Sequence, residues 1–277
     1  MKLAVISDVH GNLPALSAVL EDVEQWRPDA LVVNGDLINR GPDSIGVLRY
    51  LQQQVPTAAV VQGNHEAFVL REATLPDDPS AADFALRRFA RWSAEQLKAA
   101  DALPQVADWP DHLELVDPDG GRVHVTHGSV LGNRAGILPN CADEELRAKL
   151  GDPRDLFIAA HTHRPLIRNF EGTLVANVGS VGAPFDRDPR AAYGRFTYHH
   201  QQWRAAIRRV PFDRAAAARS FESSGFLDGA GPLARLMLTE LHDCRGHMGP
   251  WMRHYQQPVL AGAISVEAAV DNYLASL

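Results

Sequence analysis

The feature that most constrains the fold is an alternation of apolar runs and amphipathic segments near the start of the chain. Three short runs, KLAVIS (2–7), ALVVNG (30–35) and AAVVQG (58–63), are separated by amphipathic segments at 14–26 and 43–54. The runs are rich in β-branched residues and stop at glycine or polar residues, which is typical of buried strands. The segments between them carry apolar residues at helical spacing. This order predicts parallel strands joined by right-handed helical crossovers.

The rest of the chain predicts a second sheet and two further helical regions. Residues 66–104 carry helical patterns, and we interpret them as an insertion over one side of a site. From about residue 112, short strand patterns alternate with turn signals, and a second sheet packed on the first is the simplest arrangement. The expected fold is α/β, a four-layer α-β-β-α double-sheet sandwich. We place this domain at 1–212, followed by a helical C-terminal appendage at 213–277.

Side chains that can bind metal ions follow the predicted strands. They offer carboxylate, imidazole or amide donors and are Asp8, His10, Asp36, Asn64, His127, His161 and His163. Because ligands collect at the carboxyl ends of strands in such sheets, we expect these groups to share one pocket. Residues two apart in extended chain point the same way, so the pairs Asp8/His10 and His161/His163 can each present two donors. A nitrogen and oxygen donor set without thiolate suits manganese, iron or zinc.

The number of candidate donors favours two ions over one. The set exceeds what one four-coordinate ion needs and suits two ions about 3.5–4 Å apart, as in two-metal hydrolytic sites. Asp36 is the best candidate for a bridging ligand, because a carboxylate offers two oxygens. Taken alone, His10 or His127 is more often a surface or capping residue, so the prediction depends on the whole set.

The ordered motifs resemble those of the calcineurin-like metallophosphoesterases. They are DVH (8–10), GDLINRG (35–41), GNHE (63–66), THG (126–128) and AHTH (160–163). Each motif is weak by itself, but the ordered combination is specific. The resemblance covers about residues 1–212 and implies a double sheet flanked by helices.

The resemblance also implies a division of the ligands and a reaction. Two divalent ions are implied, with manganese ranked first and iron, zinc, cobalt or nickel as alternatives. One ion would be held by Asp8, His10 and His163, the other by Asn64, His127 and His161, with Asp36 between them. The reaction would be in-line attack of metal-bound hydroxide on phosphorus without a phosphoenzyme. His65 would protonate the leaving oxygen or stabilise charge on phosphorus, and Arg40 would bind a phosphate oxygen.

Two positions depart from the pattern. In the phosphoprotein phosphatase branch an acid in the second motif orients the catalytic histidine, and Asn39 stands at that position here. An amide orients an imidazole but does not stabilise its cation, so we expect His65 to favour substrates with better leaving groups, such as diesters or polyphosphates. Ala160 replaces the usual glycine before the last motif, and its small side chain predicts little effect.

The predicted substrate is a small soluble phosphorylated molecule, with nucleotides ranked first. A phosphomonoesterase or a serine/threonine protein phosphatase is the alternative, and a non-catalytic metal-binding scaffold is a more remote one. A formal net charge of −7 argues against broad nucleic-acid binding. No apolar run has the length of a membrane span, and Cys141 and Cys244 form no disulfide pattern, so a cytoplasmic protein without membrane partners is expected. A homo-oligomer is left open.

Two other segments of the sequence allow two interpretations each. The segment at 242–254 gathers His242, Cys244, His247 and His254 and hints at another metal site, but packing is the better interpretation of this spacing. The arginines of RRFARW (87–92) could face a substrate phosphate or only water, and a solvated helix face is the default expectation.

Overall fold

The structure is a computed structural model that describes residues 1–152 and 154–277. These residues form ten strands and eleven helices. The strands are β1 (Lys2–Ile6), β2 (Ala30–Asn34), β3 (Ala59–Val61), β4 (His112–Val116), β5 (Arg122–Thr126), β6 (Leu156–Ala159), β7 (Leu166–Phe170), β8 (Thr173–Asn177), β9 (Ala191–His199) and β10 (Gln202–Val210). The helices are α1 (Leu13–Trp26), α2 (Ser44–Gln54), α3 (Asn64–Thr74), α4 (Phe84–Ala99), α5 (Leu103–Ala107), α6 (Asp143–Leu150), α7 (Arg214–Ser223), α8 (Phe226–Gly229), α9 (Leu233–Asp243), α10 (Met248–Leu260) and α11 (Val266–Ala275).

The strands form two five-stranded sheets, ordered β10-β9-β1-β2-β3 and β4-β5-β6-β8-β7. The strands β1, β2 and β3 are parallel, as the alternating pattern predicts. The strand-rich region after residue 112 does not all enter the second sheet, because β9 returns to pair antiparallel with β1 and carries β10 with it. This pairing covers the edge that β1 would otherwise expose.

Apolar side chains fill three layers around the sheets. Leu3 of β1, Ile158 of β6 and Phe196 of β9 belong to a buried cluster shared by the two sheets. A larger cluster joins the other face of the first sheet to α1, α2 and the C-terminal helices. Leu146 of α6, a helix that the sequence pattern did not indicate, packs with Phe157 behind the second sheet. The predicted α/β double-sheet sandwich with helices on both sides is therefore confirmed.

The first two helices begin at capping residues that follow the strand ends closely. Asn12 accepts a hydrogen bond from the backbone N–H of Ala15 at 3.1 Å, and Pro14 lies in the first turn of α1. Asp43 caps α2 in the same way, through the N–H of Gly46 at 2.8 Å. These caps satisfy donors that a helix start leaves unpaired, and they fix short connections beside the strand ends.

The helical segment after β3 starts within the strand-end region itself. Helix α3 begins at Asn64, directly after β3, and α4 packs against it. The expectation of a solvated arginine face on α4 is wrong for Arg87, which is buried and forms ion pairs with Glu72 and Asp83. Pairing removes the cost of burying the guanidinium group.

The C-terminal helices contribute to the main core. Phe226, Leu233 and Trp251 lie in the same buried cluster as Leu16 of α1 and Leu97 of α4. No helix in the described ranges combines the length and hydropathy that a membrane crossing needs.

Candidate active site

The candidate ligands lie just beyond the strands, in backbone turns rather than in extended chain. Asp8 and His10 follow β1, Asp36 follows β2, and His161 and His163 follow β6; all five have positive φ angles, between 51° and 67°. This left-handed conformation is uncommon for residues other than glycine and costs about 1–2 kcal/mol for each residue. Such local strain is often found at functional sites.

Backbone contacts between neighbouring strand ends hold these turns together. The N–H of Asp8 donates to the carbonyl of Gly35 at 3.1 Å, and the N–H of His10 donates to the carbonyl of Asp36 at 3.0 Å. Gly35 itself has φ +79°, and a Cβ atom there would lie 2.6 Å from Nδ1 of His127. Only glycine lets this strand end approach the imidazole so closely.

The first donor set consists of Asp8, His10 and His163, all of them buried. Nε2 of His163 lies 3.2 Å from Nε2 of His10 and 3.2 Å from Oδ1 of Asp8. Two donors on one ion with bonds of about 2.1 Å are separated by about 3.0–3.4 Å. Within the part of the chain that the structure describes, Oδ1 of Asp8 and Nδ1 of His10 have no hydrogen-bond partner although they are buried. The unpaired carboxylate oxygen and the spacing of the set fit a cation.

The second donor set consists of Asp36, His127 and His161. Nε2 of His127 lies 3.2 Å from Oδ2 of Asp36 and 3.2 Å from Oδ1 of Asn64, so the amide oxygen joins this set. Oδ2 of Asp36 is also 3.8 Å from Nε2 of His10 in the first set. Asp36 therefore lies between the two sets, where a bridging ligand is expected. All seven predicted donors are brought together in one place.

The outward nitrogens of two imidazoles are anchored to backbone carbonyls. Nδ1 of His127 lies 2.8 Å from the carbonyl of Asn34, and Nδ1 of His163 lies 2.5 Å from that of Ala183. A carbonyl oxygen only accepts, so each Nδ1 carries the proton and each Nε2 faces the site. Metal-binding histidines are commonly oriented in this way.

Burial and the acidic ligands set the protonation of the site. Burial lowers the pKa of His10 well below its usual value, that of His161 to about 4 and that of His65 to about 3. Burial alone would also lower the pKa of His127, but the carboxylate of Asp36 outweighs it and raises this pKa to about 10. The first three imidazoles are neutral at pH 7, whereas His127 holds a proton that a bound cation would displace.

His65 contacts Asn39 in an arrangement that fixes its tautomer. Oδ1 of Asn39 accepts a hydrogen bond from the N–H of Arg40 at 2.8 Å, so Nδ2 faces Nδ1 of His65 at 2.9 Å. An amide nitrogen only donates, and Nδ1 of His65 must therefore be the acceptor. The ring proton is on Nε2, the nitrogen not bonded to Asn39. His65 is thus a neutral donor, held further by its backbone N–H, which donates to Oδ1 of Asp36 at 2.8 Å.

Arg40 lies at the wall of the same site, but its partner in the structure is a protein carboxylate. Its Nη2 forms an ion pair with Glu240 of α9. The guanidinium also lies over the ring of Phe185 at 5.9 Å, and Phe185 stacks on His163 with ring centroids 4.2 Å apart. Arg40 is therefore fixed beside the first donor set.

Sequence reasoning missed two carboxylates that support the site. Glu66 is buried and accepts hydrogen bonds from the backbone N–H groups of Asp36, Ile38 and Gly63 at 2.8–3.2 Å. Its position three residues after Gly63, at the start of a helix, is a capping signal that could have identified it. Glu240 lies in a helical pattern without a motif, and nothing in the sequence indicates that it reaches the site.

A cavity of about 980 Å³ opens beside the donor sets. Its wall includes His161 and, at the start of α3, Asn64 and His65. Further residues of α3, α4 and α10 complete it. The size is that of pockets for whole small ligands.

The suggested C-terminal metal site does not form. His247 is engaged by Asp243 at 2.9 Å and by the hydroxyl of Tyr273 at 3.2 Å. Within residues 1–152 and 154–277, the only compact groups of three or more histidine, cysteine or acidic side chains are the two donor sets described above.

A double sheet flanked by helices, with imidazoles and carboxylates gathered at the strand ends, defines the class of the metallophosphoesterases. The model of the calcineurin-like phosphoesterase superfamily domain matches residues 1–201. The chain belongs to this superfamily.

Named relatives and solved structures agree with this assignment. A symmetrical bis(5'-nucleosyl)-tetraphosphatase of Acidovorax sp. is 32% identical over 154 residues, which are 55% of this chain and 50% of that protein. An uncharacterized protein of Methanocaldococcus jannaschii is 25% identical over 76% of this chain and 88% of its own length. The crystal structure of a metallophosphoesterase from Sphaerobacter thermophilus has a TM-score of 0.70 and 27% identity, covering 88% of this chain and 99% of that one. The matches to the first tetraphosphatases span only about a third to a half of their length.

Proposed function

We propose that the protein is a dinuclear metal-dependent phosphoesterase that cleaves a phosphodiester or phosphoanhydride bond in a nucleotide-type molecule. The observation that carries this proposal is the placement of Asp36 between two largely buried donor sets, next to His65 and a large cavity. Asp8, His10 and His163 would hold one ion, and Asn64, His127 and His161 the other. When bound, the two ions would polarise the phosphoryl oxygens and supply a water nucleophile at neutral pH.

The protein's own groups would orient the phosphate and receive the leaving oxygen. His65 holds its proton on Nε2, so it would donate a hydrogen bond toward the leaving oxygen as a neutral imidazole. Nη1 and Nε of Arg40 have no hydrogen-bond partner among the described residues, and they would contact a phosphate oxygen. A neutral donor assists a good leaving group more than a poor one, which favours diesters and anhydrides over alkyl monoesters.

The charges around the cavity favour a substrate with several phosphates. Six arginines line it, and two of them, Arg40 and Arg87, form ion pairs. The other four come from different elements: Arg71 of α3, Arg134 after β5, Arg164 after β6 and Arg253 of α10. Among the described residues, none of these four has an ion-pair or side-chain hydrogen-bond partner, whereas both lining carboxylates, Asp83 and Glu240, are paired. A chain with net charge −7 thus presents unneutralised cations here.

Apolar side chains share this cavity with the arginines. Phe68 and Phe89 lie on one side, and Met248 and Met252 lie on another. Apolar and aromatic surface between cations suits a nucleoside attached to a phosphate chain. Relatives named as symmetrical bis(5'-nucleosyl)-tetraphosphatases support the same substrate class.

A substrate screen with manganese-loaded protein tests the proposal. The panel contains a dinucleoside tetraphosphate, a cyclic nucleotide, a nitrophenyl phosphodiester, a mononucleotide and a phosphopeptide. We expect turnover of the tetraphosphate and the diester, and at least tenfold lower kcat/KM for the mononucleotide and the phosphopeptide. Preferential hydrolysis of the phosphopeptide would instead identify a protein phosphatase, and no turnover by protein containing two ions would identify a scaffold.

Matched variants test the role of the arginines. Arg134→Ala with Arg164→Ala should raise KM for the tetraphosphate and leave KM for the small diester unchanged, because only the longer substrate reaches these groups. Arg219→Ala, which removes an exposed arginine of α7 away from the cavity, is the control. Equal changes for both substrates would contradict the assignment.

A further inference from the structure

Glu240 is a buried carboxylate of the C-terminal helices that reaches the candidate active site. It is 2% exposed and lies on α9, beyond the segment matched by the superfamily domain, residues 1–201. One of its oxygens, Oε2, forms an ion pair with Nη2 of Arg40. A buried carboxylate needs such partners, because its desolvation costs several kcal/mol.

The other oxygen of Glu240 is held by backbone. Oε1 accepts hydrogen bonds from the N–H groups of His247 and Met248 at 2.7 and 2.8 Å. These donors lie at the start of α10, a helix that also lines the cavity. The carboxylate is therefore fixed at both ends, to α10 by Oε1 and to Arg40 by Oε2.

This arrangement restrains Arg40 but leaves part of its guanidinium free. Only Nη2 is engaged by Glu240, and the face of the group lies over Phe185. Nη1 and Nε have no hydrogen-bond partner among the described residues, and the Arg40 side chain lines the cavity. An arginine loses up to about 2 kcal/mol of side-chain entropy when it is fixed, and a preformed restraint removes that cost from substrate binding.

We propose that Glu240 is a positioning residue that holds Arg40 in the orientation that binds the substrate's phosphate, so that helices α9 and α10 complete the active site. The proposal rests on the proposed phosphoesterase function. It assigns a role to the C-terminal helices, which carry none of the superfamily motifs.

A double-mutant cycle in the full-length, manganese-loaded protein tests this role. The variants are Glu240→Gln, Arg40→Ala and the double variant, assayed with the nitrophenyl phosphodiester. Glu240→Gln keeps an oxygen for the α10 backbone donors but removes the charge that holds Arg40. We expect kcat/KM to fall about tenfold in the single variant and less than twofold when the same change is made in the Arg40→Ala background.

Binding of inorganic phosphate provides a second readout that does not need turnover. Calorimetry should show about tenfold weaker phosphate binding for Glu240→Gln and no further loss in the double variant. Glu267→Gln, which removes an exposed carboxylate paired with Arg235 on the same helical region, should leave both readouts unchanged.

Three results would overturn the assignment. An equal loss with and without Arg40 would show that Glu240 acts only through the fold. Unchanged phosphate binding would show that Arg40 does not need the restraint, and tighter binding would show that Glu240 withholds Arg40 from phosphate. If the wild-type protein turns over no substrate, the proposed function fails, while phosphate binding still tests the pairing of Glu240 with Arg40.

Discussion

Asn39→Asp tests the role proposed for His65 in the reaction. In the wild-type protein the amide donates to Nδ1 of His65, which places the ring proton on Nε2 and disfavours a second proton. In the variant one carboxylate oxygen can keep the hydrogen bond from the N–H of Arg40, while the other can accept a hydrogen bond from a protonated Nδ1 of His65. This stabilises the imidazolium form of His65, which is a stronger acid for a poor leaving group.

The structure allows the size of this effect to be estimated. A hydrogen bond between neutral groups contributes about 0.5–1.5 kcal/mol, and one to a charged group about 1.5–3 kcal/mol. Replacing Asn39 therefore stabilises the protonated ring by about 1–1.5 kcal/mol relative to the wild type, which corresponds to roughly tenfold in rate. Only substrates whose leaving oxygen needs a proton should gain this factor.

The assay compares kcat/KM for an alkyl phosphate monoester and for a nitrophenyl phosphodiester at one manganese concentration. We expect the monoester-to-diester ratio to rise about tenfold in Asn39→Asp. Asn272→Asp, at an exposed position of α11, adds the same charge away from the site and should leave the ratio unchanged. Equal changes of both rates in Asn39→Asp would refute the reasoning, provided that the metal content is unaltered.

Two further variants test the structural support of the site. Glu66→Gln places an amide nitrogen against backbone N–H donors, so it should lower the free energy of unfolding by about 1.5–3 kcal/mol. Glu95→Gln, at an exposed position of α4, is the control. Equal denaturation midpoints of the two variants would contradict the role of Glu66. Trp251→Ala removes a fully buried side chain of α10 and should lower the free energy of unfolding by about 3–5 kcal/mol. Urea denaturation measures this loss, and Met252→Ala, at a half-exposed position of the same helix, is the control. A small loss for Trp251→Ala would show that α10 is not part of the main core.

The parallel half of the first sheet could be predicted because its signals are local. The three apolar runs, their strand-end polar residues and the caps of α1 and α2 each occur within a few residues of sequence. The gathering of the seven donors followed from the same pattern, because parallel strands bring their carboxyl ends together.

Features that depend on distant contacts could not be predicted in this way. The return of β9 to pair with β1 joins segments about 190 residues apart, and no local pattern specifies that register. Asp8 and His10 were expected in extended chain, but contacts between neighbouring strand ends hold them in the left-handed region. The ion pair of Arg40 with Glu240 joins residues that are 200 positions apart in the chain. The helical pattern of α9 indicates that one face is buried, but it does not indicate which distant residue that face contacts.

The proposed function requires two ions per chain, and a manganese titration of metal-free protein measures them directly. Calorimetry and diesterase activity are followed together in the wild type, in His163→Ala and in His127→Ala. We predict two equivalents bound by the wild type, one by each variant, and full activity only after the second equivalent. Full activity of the wild type at a single equivalent, or two equivalents retained in both variants, would contradict the two-ion site.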